Sequence, residues 1–261
     1  NTEAWRSVLG LVGYWPLDGD SKDRTGIYNG TIFGSVYNSS GTVKGALAFN
    51  ETVGSINYVN LNDVLDMDAT DAFTLMAWVK TYNGSKNTSG VIGKDDATSN
   101  CMDGTLQSYW LSVAINGTPG GFANSDNGVD NYLYAVSNIS DNKWHHLAFS
   151  NQDGADGMNI YVDGMLEKTA TKSGTGVSAS TTPLAIGRMD PDCNRNDTVS
   201  FRGSIDEVKI YNRTLTVAEV QAEYQMMSYG STEKDASGTP APDVPIALWH
   251  FDDNVSNTRV E

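Results

Sequence analysis

The chain is poor in cysteine, proline, histidine, glutamate and basic residues. It has 2 Cys, 7 Pro and 3 His in 261 residues. Two cysteines and three histidines cannot assemble a familiar zinc-ligand spacing. Lys and Arg number 17 against 32 Asp and Glu, for a net charge of −15. That excess of negative charge repels phosphate backbones and anionic lipid, which argues against nucleic acid and membrane surfaces as partners. No stretch approaches the roughly 20 apolar residues of a membrane-spanning helix. Only eight acidic residues are Glu: Glu3, Glu51, Glu167, Glu207, Glu219, Glu223, Glu233 and Glu261. No two of them lie two or four apart on an expected strand. A retaining glycosidase needs a carboxyl pair about 5 Å apart, and no Gly-x-Ser-x-Gly elbow offers a serine alternative. The expectation is a chain that is not an enzyme.

What is present is asparagine in sequons, strand patterns and short acidic loops. Asn-x-Ser/Thr begins at Asn29, Asn38, Asn50, Asn83, Asn87, Asn116, Asn138, Asn196, Asn212 and Asn254. Chance in this composition gives about four such triplets, so the excess points to a secreted glycoprotein. Pro119, just beyond the Asn116 triplet, weakens that site. The eight candidates carried forward are Asn29, Asn38, Asn50, Asn83, Asn87, Asn138, Asn196 and Asn212. In an extracellular setting Cys101 and Cys193 are expected to form one disulfide.

Alternation marks the strands. Phe73, Leu75, Ala77 and Val79 share one face of a segment ending at Lys80, and Tyr109, Leu111, Val113 and Ile115 share another. Further strands are expected from Leu11 up to an acidic turn at Asp18, and at 47–49, 58–61, 144–150, 159–162, 165–167, 183–186 and 204–211. Asp163-Gly164 sits where a two-residue hairpin turn needs positive backbone angles. One helix is expected from Thr216 to Met226, with Thr216 as N-cap and Glu219 three residues on. Residues 229–245, rich in Gly, Ser, Pro and charge, read as a linker. After it, Ile246–Asn254 repeats the apolar, aromatic, acidic order of Leu11–Gly19. That marks 246–261 as the first strand of a second repeat, or as a strand donated to a neighbouring sheet.

In order, Tyr14–Gly19, Lys44–Phe49, Phe73–Lys80, Trp144–Ala148, Tyr161–Gly164 and Gly203–Arg213 resemble the laminin-G-like jelly rolls of the concanavalin A-like lectin and glucanase superfamily. The resemblance covers about residues 11–226. It implies an all-β antiparallel sandwich over 11–228, with a short C-terminal helix, behind an N-terminal extension at 1–10. It also implies a structural calcium ion on Asp206 of Ile205-Asp206-Glu207-Val208. Asp18 and Asp20, in the turn after the first strand, and the carbonyl of Asn50 could complete that site. His146 is expected to be structural, because neighbouring strand residues such as His145 and His146 face opposite ways.

Ligand contact is expected at two places. Trp110 falls opposite the apolar face of its strand, where a flat indole could stack on a sugar. Asp95, Asp96, Asp103, Asp190 and Asp192 flank the cysteines on what would be one rim. The function expected is non-catalytic binding or adhesion within a larger secreted or surface glycoprotein, with a glycan or an extracellular protein as partner. Two alternatives stand beside it: a structural repeat of a glycosylated surface filament, self-assembling through 246–261, and an accessory module of a glycan-active enzyme.

Overall fold

The computed structural model describes residues 10–34, 36–38, 40–42, 44–49, 57–67, 72–82, 88–95, 108–189 and 201–230. Their strands are β1 (Leu11–Trp15), β2 (Thr31–Phe33), β3 (Val36–Asn38), β4 (Ala46–Phe49), β5 (Tyr58–Asn60), β6 (Phe73–Tyr82), β7 (Ser89–Lys94) and β8 (Tyr109–Val113). There follow β9 (Pro119–Asn124), β10 (Asp130–Tyr134), β11 (Asp141–Asn151), β12 (Gly154–Val162), β13 (Met165–Lys172), β14 (Ala185–Ile186) and β15 (Gly203–Tyr211). One helix, α1 (Val217–Gly230), ends the described chain.

The strands form two antiparallel sheets. The first runs β13-β12-β11-β6-β15-β4-β3, with β1 also paired to β15, and the second runs β10-β9-β8-β7-β14-β5-β2. The sandwich expected from alternation is the fold. Between the sheets lie Trp15, Phe49, Phe73, Leu111, Phe149 and Ile205, all but inaccessible to water. Phe73 packs edge-on to Phe149 at 5.9 Å and tilts against Tyr109 at 5.2 Å, within the range of favourable ring pairs.

Local signals held in detail. Asp163 (φ 50°) and Gly164 (φ 75°) form the turn between β12 and β13. Thr216 Oγ1 accepts from the Glu219 amide at 3.3 Å, and the Thr216 amide donates to Glu219 Oε2 at 2.8 Å, the reciprocal capping box. The helix itself runs four residues past the expected end at Met226, to Gly230. Its end takes in the first two residues of the expected linker 229–245. The rest of that linker and 246–261 lie outside the described residues. Ile115 is not in β8. It is 58% exposed beyond Val113, because Asn116 and Gly117 already turn the chain there.

Asp23 organises the segment after β1. Its buried carboxylate accepts from the amides of Tyr14 (3.0 Å), Thr25 (2.8 Å), Ile27 (3.2 Å) and Tyr28 (2.9 Å), and from the Thr25 hydroxyl. A loop that would otherwise leave these donors buried and unpaired is satisfied by one side chain.

Candidate functional site

The outer face of the second sheet carries a row of aromatic side chains. Because Tyr109, Leu111 and Val113 point into the core, Trp110 and Ser112 point out. Register then lines up Gly93, Trp110, Phe122 and Tyr132 across four strands, and Ser112, Gly120 and Tyr134 in the next row. Trp110 stacks on Phe122 at 5.1 Å with 15° between the planes, and Phe122 lies 4.7 Å from Tyr132.

Trp110 is on the face that alternation assigns, but it is only 5% exposed, covered by Phe122, Tyr132 and Met189. The aromatic rings that do face solvent lie further out, on the edge strand β10. There Tyr132 is 45% and Tyr134 38% exposed. Tyr134 is seated over Gly120: a methyl group on Gly120 would stand 2.7 Å from Cδ1 of the ring. Asp130, two positions before Tyr132, is exposed, and its Oδ1 accepts from the buried Asn124 side chain at 3.0 Å. Burial foremost, then the Asp130 charge, pushes the Tyr132 hydroxyl up to about 12. The result is a two-ring shelf with a fixed carboxylate at one end.

At the opposite side of the sandwich, β15 bulges against β6 between Asp206 and Lys209, with Glu207 at φ 53°. Asp206, in register with Trp78 on the face away from the core, is nonetheless wholly buried. Its Oδ2 accepts from the Thr42 amide (2.7 Å) and hydroxyl (2.6 Å), while Oδ1 has no hydrogen-bond partner among the described residues. Burial foremost, then the neighbouring Glu207 charge, raises the Asp206 carboxyl to about 8. Asp18 bears on the same pair of carboxyls and accepts from the Gly45 amide at 2.9 Å. Asp20 does not join them: it holds its own turn, accepting from the Lys22 amide at 3.0 Å, with the Lys22 ammonium at 3.8 Å. Asn50 lies outside the described residues. Among the described residues no three His, Cys, Asp or Glu side chains form a metal-holding group. A buried carboxylate with an unused oxygen nevertheless fits a hard cation, with carbonyls filling the remaining positions. Asp206 and Asp18 are the residues that would hold it.

The two histidines face opposite ways, as expected. His145 bridges Asp163 (2.8 Å) and Asp141 (3.1 Å). His146 is buried under α1, 5.5 Å from the Trp78 ring and 6.1 Å from Tyr224. Of the acidic rim, Asp95 is described, and its charge also bears on Tyr132. Asp96, Asp103, Asp190, Asp192, Cys101 and Cys193 lie outside the described residues. Of the eight sequons carried forward, Asn29, Asn138 and Asn212 are exposed. Asn38 belongs to β3 with its side chain undescribed, and Asn50, Asn83, Asn87 and Asn196 lie outside the described residues.

A family model described as the concanavalin A-like lectin/glucanases superfamily matches residues 53–221. No curated protein sequence matches. Domain 4 of AbnA, an extracellular arabinanase of Geobacillus stearothermophilus solved with arabinotriose, superposes with a TM-score of 0.60 at 22% identity, covering 82% of this chain and 98% of its own. The binding domain of Paraclostridial Mosquitocidal Protein 1 gives 0.62 at 18% identity, and that of botulinum neurotoxin serotype G gives 0.58 at 21%. They cover 82% and 84% of this chain, which spans only about half of each toxin domain, 52% and 51%. At these identities the likeness is one of fold.

Proposed function

Because this chain belongs to the concanavalin A-like lectin and glucanase superfamily, we propose that it is a non-catalytic extracellular binding module whose ligand is a glycan laid on the Tyr132–Tyr134 shelf. The observation that carries the reading is the exposure of two aromatic rings side by side on an edge strand, backed by buried aromatics that hold the first of them. An exposed tyrosine ring presents a flat apolar face, and a sugar offers a matching apolar face with a polar rim. The arabinotriose complex of the AbnA domain supports a glycan over other ligands. The exposed sequons Asn29, Asn138 and Asn212, and a disulfide between Cys101 and Cys193, belong to the same extracellular reading.

A calcium ion on Asp206 and Asp18 would serve as a structural part of this module. It would supply positive charge where two carboxyls and Glu207 meet, tying the segment after β1 to the bulge in β15. The shelf lies on the other sheet, so the ion supports folding and makes no contact with ligand.

Glycan microarray binding of the wild type and of Tyr132→Ala and Tyr134→Ala tests the proposal. Each substitution should lower binding about tenfold, a loss of roughly 1.4 kcal/mol for one stacked ring, while leaving the melting temperature near that of the wild type. Undiminished binding in both variants would refute the shelf as the site.

A further inference from the structure

Resting on the reading of Tyr132 and Tyr134 as a glycan shelf, we infer that the shelf selects uncharged sugars, and that Asp130 is the residue that sets this selectivity. Asp130 shares the outer face with both tyrosines, since Asn131 and Leu133 between them are buried. Its carboxylate is oriented from beneath. Asn124, directly across in register and 2% exposed, donates to Oδ1 at 3.0 Å. The other oxygen, Oδ2, has the Tyr132 hydroxyl at 3.4 Å, too long for a good O–H···O bond. Oδ2 therefore keeps acceptor capacity beside the Tyr132 ring.

A sugar stacked on that ring presents hydroxyls around its edge. A carboxylate fixed at the edge accepts from them in charge-assisted bonds, stronger than neutral ones. The same charge works against an anionic sugar. One carboxylate about 4 Å from another in water disfavours the pair by about fivefold. Asp95 also bears on Tyr132, and the net charge of −15 adds the same sign at longer range. An acidic, aromatic surface also attracts cations, but a quaternary ammonium is best held by rings that enclose it. Here Tyr134 rests on Gly120 and Tyr132 against Phe122, which leaves a shelf open on one side.

Surface-immobilised galactose-, mannose- and arabinose-based trisaccharides, each beside its sialylated or sulfated derivative, form the probe set, with a trimethyllysine peptide as the cationic control. The wild type should bind at least one neutral sugar, and its acidic derivative at least fivefold more weakly. Asp130→Asn, unchanged in melting temperature, should bind the neutral sugar about tenfold more weakly and bring the two derivatives closer together. Equal or tighter binding of the acidic derivative overturns the inference. So does an Asp130→Asn variant that changes neither affinity, or binding of the trimethyllysine peptide alone. If no sugar binds, or Tyr132→Ala leaves sugar binding intact, the shelf itself is refuted, and the selectivity falls with it.

Discussion

Gly120 lies beneath the ring of Tyr134, and its neighbour Gly121 lies beneath the ring of Phe149 on the opposite face of β9. Neither glycine has the positive φ that would explain it by backbone conformation. Each is bare so that an aromatic ring can approach the strand. The two substitutions should therefore separate function from stability. Gly120→Ala displaces an exposed ring that is free to lift. It should weaken glycan binding several-fold with a stability change within about 1 kcal/mol. Gly121→Ala forces a methyl group into the core and should cost about 1–3 kcal/mol, leaving the affinity of the folded fraction unchanged. Denaturant unfolding and calorimetric titration of both variants check this.

Adjacent histidines should give opposite pH dependences. His145 is raised above its usual value, chiefly by its hydrogen bond to Asp163. Its stabilising contribution is fully present below about pH 6.5 and is lost as the pH rises through the higher folded value. His146, neutral under α1, is lowered by burial to about 4. Its contribution is present above about pH 6.5 and is lost as the pH falls toward 4, by on the order of 3 kcal/mol. Unfolding free energies from pH 4 to 8 should lose part of their acid-side slope in His146→Phe and part of their neutral-side slope in His145→Gln.

Chelator should lower the melting temperature of the wild type, and Asp206→Ala should abolish that effect. At a calcium concentration one hundred times the dissociation constant the ion contributes about 2.7 kcal/mol. Asp20→Ala should behave as the wild type in chelator, because Asp20 closes its own turn with Lys22. Differential scanning calorimetry with and without calcium distinguishes the three proteins.

Removing the Asp23 carboxylate leaves four amides without their acceptor. Asp23→Ala should cost on the order of 3 kcal/mol, and Asp23→Asn less, since one oxygen remains to accept. Equilibrium urea unfolding measures both.

The fold was legible where pattern and packing agree. Phe73–Lys80 alternates because one face meets the core, and Thr216 with Glu219 writes a helix start that needs no tertiary context. The shelf was harder to read. Pro119-Gly120-Gly121 shows no alternation, yet it is the first half of β9, because the missing side chains are filled by Tyr134 and Phe149 from elsewhere in the chain. Asp130–Tyr134 puts large residues on both faces, so alternation alone does not mark which are covered. Trp110 was correctly placed outward, but its burial depends on Phe122 and Met189, far apart in sequence. Asp206 was singled out by motif, whereas its orphaned oxygen depends on how the Thr42 segment, distant in sequence, packs over it. Asp23 was missed because nothing in its neighbours announces five converging donors.

The measurement that bears most directly on the account is an amide chemical-shift map of the labelled protein, titrated with the neutral trisaccharide it binds best. Shifts centred on Gly120, Phe122 and Asp130–Tyr134 are the predicted result. Shifts centred on the helix-covered face around Trp78 and His146, or on the Phe33–Tyr58 pair at the far edge of the second sheet, with β10 unmoved, would contradict it.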